Sequence, residues 1–196
     1  PLRPPVIREL CNRLEDQRAQ LWFAAEAALR DAGAEAVPVF AKQIIWLQLE
    51  RLQLNPKRRL VDDSQTRRVI NALGRIGHDA RSAAPIVIAM LVSNKQSVTD
   101  SAAYATALTL KADAIPILSS IIAVGPKYSA RAAVRGFAVI GPQAAPALRR
   151  CLNHGDIAVQ VSALDGMRRL KADPTELDTA AVRILKRLRS VRPVDL

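Results

Sequence analysis

Along this chain, small and branched apolar residues recur at intervals of three and four, the period of one helical face. Each such stretch ends at a tight turn. A second apolar stretch follows, with a proline near its start. Gly33, Gly77, Lys111, Gly141 and Lys171 are equivalent turn positions, separated by 44, 34, 30 and 30 residues. Eight residues before the turns stand Ala25, Val69, Ala103, Ala133 and Ala163, and five before stand Ala28, Ala72, Thr106, Gly136 and Gly166. One before stand Ala32, Ile76, Leu110, Ile140 and Leu170. Small residues at two of these positions let helix axes approach closely, and the third closes the corner. Ala102–Leu118 and Ala132–Leu148 align without a gap at an offset of 30, and Ser162–Asp178 follows at the next. Leu-Lys-Ala-Asp recurs at 110–113 and 170–173.

The second stretch of each unit carries Pro38, Pro85, Pro116 or Pro146. Proline fits the first turn of a helix, whose N–H groups have no intrahelical acceptor. Asp113 and Asp173 stand where a helix cap is needed, and Glu176 completes a capping-box spacing with Asp173. Each unit therefore reads helix A, turn, helix B. About 30 residues cannot bury both faces of such a hairpin alone, so neighbours must stack. The expected fold class is all-α, an α-solenoid of about five helical hairpins. The expected units are about 16–54, 64–95, 97–126, 127–155 and 156–190, with 1–15 a segment or cap and 191–196 a tail. A single irregular bundle would need neither the period nor the recurring prolines.

This arrangement resembles the HEAT repeat, and the short HEAT-like repeat of phycobilisome-lyase-type proteins. The clearest carriers are Asp62…Arg67-x4-Ala72-Leu73-Gly74-Arg75-Ile76-Gly77 and Ala138–Leu148. Asp62 and Asp156 share one offset, and Arg67 and Arg131 share another. The resemblance implies that such acidic and arginine positions tie adjacent repeats together, although the third unit has Gln96 and Ser101 there. It implies a fold, because the repeat is a packing motif and carries no chemistry of its own.

The 44-residue interval is the irregular one. It holds an expected long helix, Ala34–Leu54, then NPKRRLVDDSQT, in which Asn55-Pro56 stops the helix. Lys57, Arg58 and Arg59 form a compact basic knot in this connection, either a solvated link or a partner-specific element at the edge. At the ends, Val6–Leu14 is a short amphipathic stretch. Pro174–Ser190 reads as a last helix, acidic at its start and basic at its end, which complements the helix dipole.

Composition narrows the function classes. Apolar residues make up 49% of the chain and charged residues 24%, which is globular and not disordered. Aromatics are only 4%, which weakens nucleic-acid modes that stack bases on rings. No uninterrupted run reaches the roughly 18–20 apolar residues of a transmembrane helix. The net charge is +11, spread evenly: residues 1–98 hold 15 basic and 10 acidic side chains, and residues 99–196 hold 14 and 8. Such a balance suits an anionic partner, or a bacterial-style use of arginine on solvated faces. Two cysteines, Cys11 and Cys151, form no disulfide framework, and the expected location is cytoplasmic, with a cleaved leader before Pro1 as the alternative.

Candidate chemistry is sparse. His78 and His154 are the only histidines and sit in distant turns, so no metal set is expected. His154-Gly155 reads as a helix end with glycine in the left-handed conformation. Cys151 near His154 lacks an orienting group and reads as a buried thiol, as does Cys11. Gly74-Arg-Ile-Gly77 lacks the strand and spacing of a phosphate loop. Some HEAT-like proteins are DNA glycosylases that use an acidic residue and tryptophans, and others are bilin lyases. Here Trp22 and Trp46 fall on apolar faces with Phe23, Ile44 and Ile45 and read as core. No catalytic residue, cofactor or metal is expected.

The leading expectation is a non-catalytic scaffold or adaptor that binds a protein partner, within a larger complex, through a curved surface lined by B helices, with an acidic contact region on the partner. The candidate contacts are Lys42, Arg81, Arg149, Arg150, Arg183, Lys186 and Arg187, with Lys57, Arg58 and Arg59 at the edge. The alternative is a nucleic-acid binder using the same positive face. Ile140 and Leu148 are expected core residues, whose truncation to alanine costs about 2–5 kcal/mol.

Overall fold

The computed structural model describes residues 4–13, 19–52 and 63–190. Among them the chain is all-α, with eleven α-helices and no strand. The helices are α1 (Pro4–Arg13), α2 (Ala19–Ala32), α3 (Val37–Leu52), α4 (Asp63–Ile76), α5 (Ala84–Ala89), α6 (Gln96–Leu110), α7 (Ala114–Val124), α8 (Lys127–Ile140), α9 (Ala145–Cys151), α10 (Ile157–Arg169) and α11 (Pro174–Ser190). The interval 53–62, with the Lys57–Arg59 knot and Asp62, lies outside the described residues, as does 191–196.

The turns explain the pairing. Gly33, Gly77, Lys111, Gly141 and Lys171 have φ of 56°, 74°, 52°, 95° and 56°, and they are the only described residues with positive φ. All five are the positions singled out by the repeat. A right-handed helix cannot continue through that conformation, so helix A stops there, and helix B follows within a short tight turn. Pro38, Pro85 and Pro146 take the second position of their helices and Pro116 the third. The expected helix over 34–54 starts later, at Val37, because Gly33–Ala36 forms a 3-10 turn first.

Packing runs between neighbours. Helix α2 packs on α4, α4 on α6, α6 on α8 and α8 on α10, while α3, α5, α7 and α9 each touch the next helix in the chain. Helix α1 packs on α2 and α3. The buried core runs through these contacts and includes Phe40, Ile70, Leu73, Leu91, Leu118, Phe137, Leu148 and Met167. The residues eight before each turn are all buried, whereas Ile140, one before its turn, is only half-buried. Ile45, expected in the core, is 48% exposed although its neighbour Ile44 is fully buried.

Glycines allow the closest approaches. A Cβ on Gly74 would lie 2.9 Å from the Ala105 Cα on α6. One on Gly136 would meet Leu118 at 2.9 Å and the Ala103 carbonyl oxygen at 3.2 Å, and one on Gly166 would meet Leu148 at 2.9 Å. Gly136 and Gly166, each five residues before its turn, thus stand where neighbouring helices approach closely.

The most apolar long segment, Gln96–Val124, has the length of a membrane span only if read through its turn. Lys111 breaks it into helices of 15 and 11 residues, each short of the roughly 20 needed to cross a bilayer.

Candidate functional site

Among the described residues, no group of three or more His, Cys, Asp or Glu side chains could hold a metal ion. Cys151 is buried, and desolvation pushes its thiol up to about 11, the reverse of what a nucleophile needs. His154 is engaged locally: its Nδ1 accepts from the Asp156 N–H at 3.0 Å, and its carbonyl accepts from Gln160 Nε2 at 2.7 Å. Gly155 does not adopt positive φ, contrary to expectation: α9 closes through main-chain bonds, with the Asn153 and His154 N–H groups donating to the Arg150 and Cys151 carbonyls at 3.1 Å each, and not through a left-handed cap. The side chains of Cys11, Trp22, Phe23 and Trp46 lie outside the described residues.

Ion pairs join residues about thirty positions apart, and Asp156 and Arg131 are not among them, while Asp62 lies outside the described residues. Arg81 donates to Asp113 at 2.8 Å, across 32 residues. That contact draws the Asp113 carboxylate away from the cap of α7, where no side-chain cap bond forms. Arg135 pairs with Asp100. Arg149 grips Glu176 with two bonds, Nε to Oε1 at 2.8 Å and Nη2 to Oε2 at 3.2 Å. Glu176 therefore serves as a partner for α9 and does not close a capping box. Asp156 caps its own helix α10 through the Ala158 N–H at 2.7 Å. Arg131 lies over the Tyr128 ring, 6.0 Å from its centroid, with its Nε buried and unpartnered.

Asp173 behaves as the sequence leads one to expect. Its Oδ1 accepts from the Thr175 and Glu176 N–H groups at 2.7 and 3.2 Å, and these bonds hold its carboxyl below the ordinary range. The start of α11 meets α9 through Glu176 and Arg149, and its cationic end reaches the segment after α9, where Arg187 donates to the His154 and Gly155 carbonyls.

All seven described candidate contacts are exposed. Lys42 stands on α3, and Arg81 stands in the turn between α4 and α5. The other five, Arg149 and Arg150 on α9 and Arg183, Lys186 and Arg187 on α11, are carried by one pair of helices. An open cleft of about 370 Å³ lies between α9 and α11. Leu152 and Ala180, both buried, supply its apolar lining. Arg149, bonded to Glu176, and Arg183, bonded to Asn153 Oδ1 at 2.8 Å, supply its charged lining, with Thr175 and Thr179 beside them. Arg187 donates to the His154 carbonyl at 3.0 Å and to that of Gly155.

Asn153, Thr175 and Thr179 were not expected at a site. The signal for Asn153 was present in the repeat: it stands 12 residues after Gly141, as Arg183 stands 12 after Lys171. Comparison with known protein families and with characterised proteins finds no match to this chain.

Proposed function

We propose that this chain is a HEAT-like repeat scaffold, an α-solenoid of about five hairpins in the expected units, that binds a protein partner without catalysis. The observation that carries the reading is the positive φ shared by five turn residues spaced by 44, 34, 30 and 30. Packing of α4 on α6, α6 on α8 and α8 on α10 supports it, since each unit then shields the apolar side of the next. A partner meets exposed residues over a large area, and the positive charge gathered on α9 and α11 favours an acidic contact region. Lys42 on α3 and Arg81 in the turn before α5 extend the proposed face at its edges, and Lys57, Arg58 and Arg59, outside the described residues, are further candidate contacts of this reading.

The test pairs two measurements. The tagged chain is used as bait beside an Arg150→Glu, Lys186→Glu variant, both positions being exposed. The reading expects a protein to be retained by the first and lost with the second. An electrophoretic shift titration on DNA and RNA at two salt concentrations is run alongside. Tight nucleic-acid binding that falls by about 0.9 log units per log unit of salt for each phosphate neutralised would replace the protein-binding reading with the nucleic-acid one.

A further inference from the structure

We propose that the cleft between α9 and α11 is a carboxylate-binding subsite that seats an aspartate or glutamate side chain from an acidic peptide segment of the partner, with Arg183 as its receptor. This inference rests on the docking-surface reading above and places its acidic contact at one point.

The cleft already displays the chemistry. One of its two arginines, Arg149, holds a carboxylate with two parallel bonds, and that carboxylate belongs to the protein itself. The other, Arg183, makes its bond to a neutral amide oxygen of Asn153. A guanidinium has five N–H donors in a planar fork, so Arg183 retains both its full charge and free donors. Asn153 holds one end of that fork with a single bond. The fork is thereby restrained before a ligand arrives, which lowers the ordering cost of binding.

The surroundings add to the charge. Arg150 and Lys186 are exposed on the same two helices, and Arg187, also on α11, donates to the main-chain carbonyls of His154 and Gly155. Buried Leu152 and Ala180 offer an apolar surface for the methylene groups of a glutamate stem. The lining favours a peptide side chain over a nucleic-acid strand. A volume of about 370 Å³ holds one side chain and its neighbours, and no described aromatic residue lines the cleft to stack a base.

The test is fluorescence anisotropy with a labelled ten-residue peptide of alternating glutamate and alanine. A matched serine–alanine peptide and a single-stranded oligonucleotide serve as competitors. The full chain is compared with three variants of confirmed helicity. Arg183→Gln removes the receptor, Thr179→Trp fills the cleft while keeping every charge, and Lys95→Gln removes one exposed charge far from it. The expected result is a loss of at least tenfold for each of the first two and a change within about twofold for Lys95→Gln, with no displacement by the serine peptide. Equal losses for Arg183→Gln and Lys95→Gln, or full binding by Thr179→Trp, would overturn the subsite. Stronger displacement by the oligonucleotide than by unlabelled acidic peptide would overturn it as well. A protein partner retained equally by wild type and Arg183→Gln would end this inference while leaving the docking surface in place. Loss of protein binding by the wild type would end both.

Discussion

Lys111 and Lys171, sixty residues apart, hold the same left-handed φ, 52° and 56°, at positions where three other units carry glycine. A side chain with a Cβ pays about 1–2 kcal/mol in that region, and glycine avoids the clash at the cost of a more flexible unfolded chain. Lys111→Gly and Lys171→Gly should therefore each stabilise the fold by about 0.5–1 kcal/mol. Thermal melts followed by circular dichroism should show an increase of about 1–4 °C for each. A decrease for both would mean that the lysine side chains have stabilising contacts that outweigh the strain.

The interhelical glycines should differ among themselves in a set order. At Gly74 the obstacle to a Cβ is the backbone of Ala105, which cannot move without moving α6. Gly74→Ala should cost about 1–3 kcal/mol despite the better helix propensity of alanine. At Gly166 the obstacle is the far end of Leu148, a side chain that can shift. Gly166→Ala should stay within about 0.5 kcal/mol of wild type, because the propensity gain offsets that shift. Urea denaturation of the two variants checks the order.

Leu148 and Ile140 flank the same turn but differ in burial. Leu148 is fully buried, and Leu148→Ala should cost about 2–5 kcal/mol through a cavity between α9 and α10. Ile140 is half-buried, so Ile140→Ala should cost only roughly 1–2 kcal/mol, less than its apolar pattern suggests. Chemical denaturation midpoints measured in parallel, with unchanged slopes, give both values.

Cys151 should be an unreactive thiol at neutral pH. Its burial raises the pKa from 9.0 to about 11, so the thiolate fraction at pH 8 is far below that of a free cysteine. In a Cys11→Ser background, Ellman's reagent should label native Cys151 at least tenfold more slowly than the urea-unfolded chain. The raised pKa also fixes the sign of its contribution to stability. The folded state keeps the proton longer, so this contribution is present below about pH 9 and is lost as pH rises through about 11. Cys151→Ala should flatten that alkaline loss.

The local periods in the sequence carry a good deal of this structure. Turn positions, prolines and the limits of α11 are set by backbone sterics within a few residues, and those forces leave a direct mark on residue choice. Asp173 is legible for the same reason, since a cap bonds the N–H groups two and three residues ahead. Asp113 carries the same tetrapeptide and yet pairs with Arg81, because a cation from the preceding unit comes within reach of its carboxylate. Long side chains meet across units through rotamers that sequence spacing does not fix. For that reason the ion-pair positions implied by Asp156 and Arg131 differ from those at Arg149–Glu176 and Arg81–Asp113. The cleft was half legible: its arginines stand out in the sequence, but their convergence depends on the course of the chain between α9 and α11.

Translational order of the hairpins is the centre of this account, and distances between equivalent turns measure it most directly. Cysteines placed one residue after four turns, as His78→Cys, Ala112→Cys, Pro142→Cys and Ala172→Cys, would be spin-labelled in pairs in a Cys11→Ser, Cys151→Ala background. Double electron–electron resonance should give separations from position 78 that grow at about 10 Å per unit, through 112 and 142 to 172, the spacing of packed helices. A distance from 78 to 172 no longer than that from 78 to 142 would show the helices gathered round a common centre and contradict the stack.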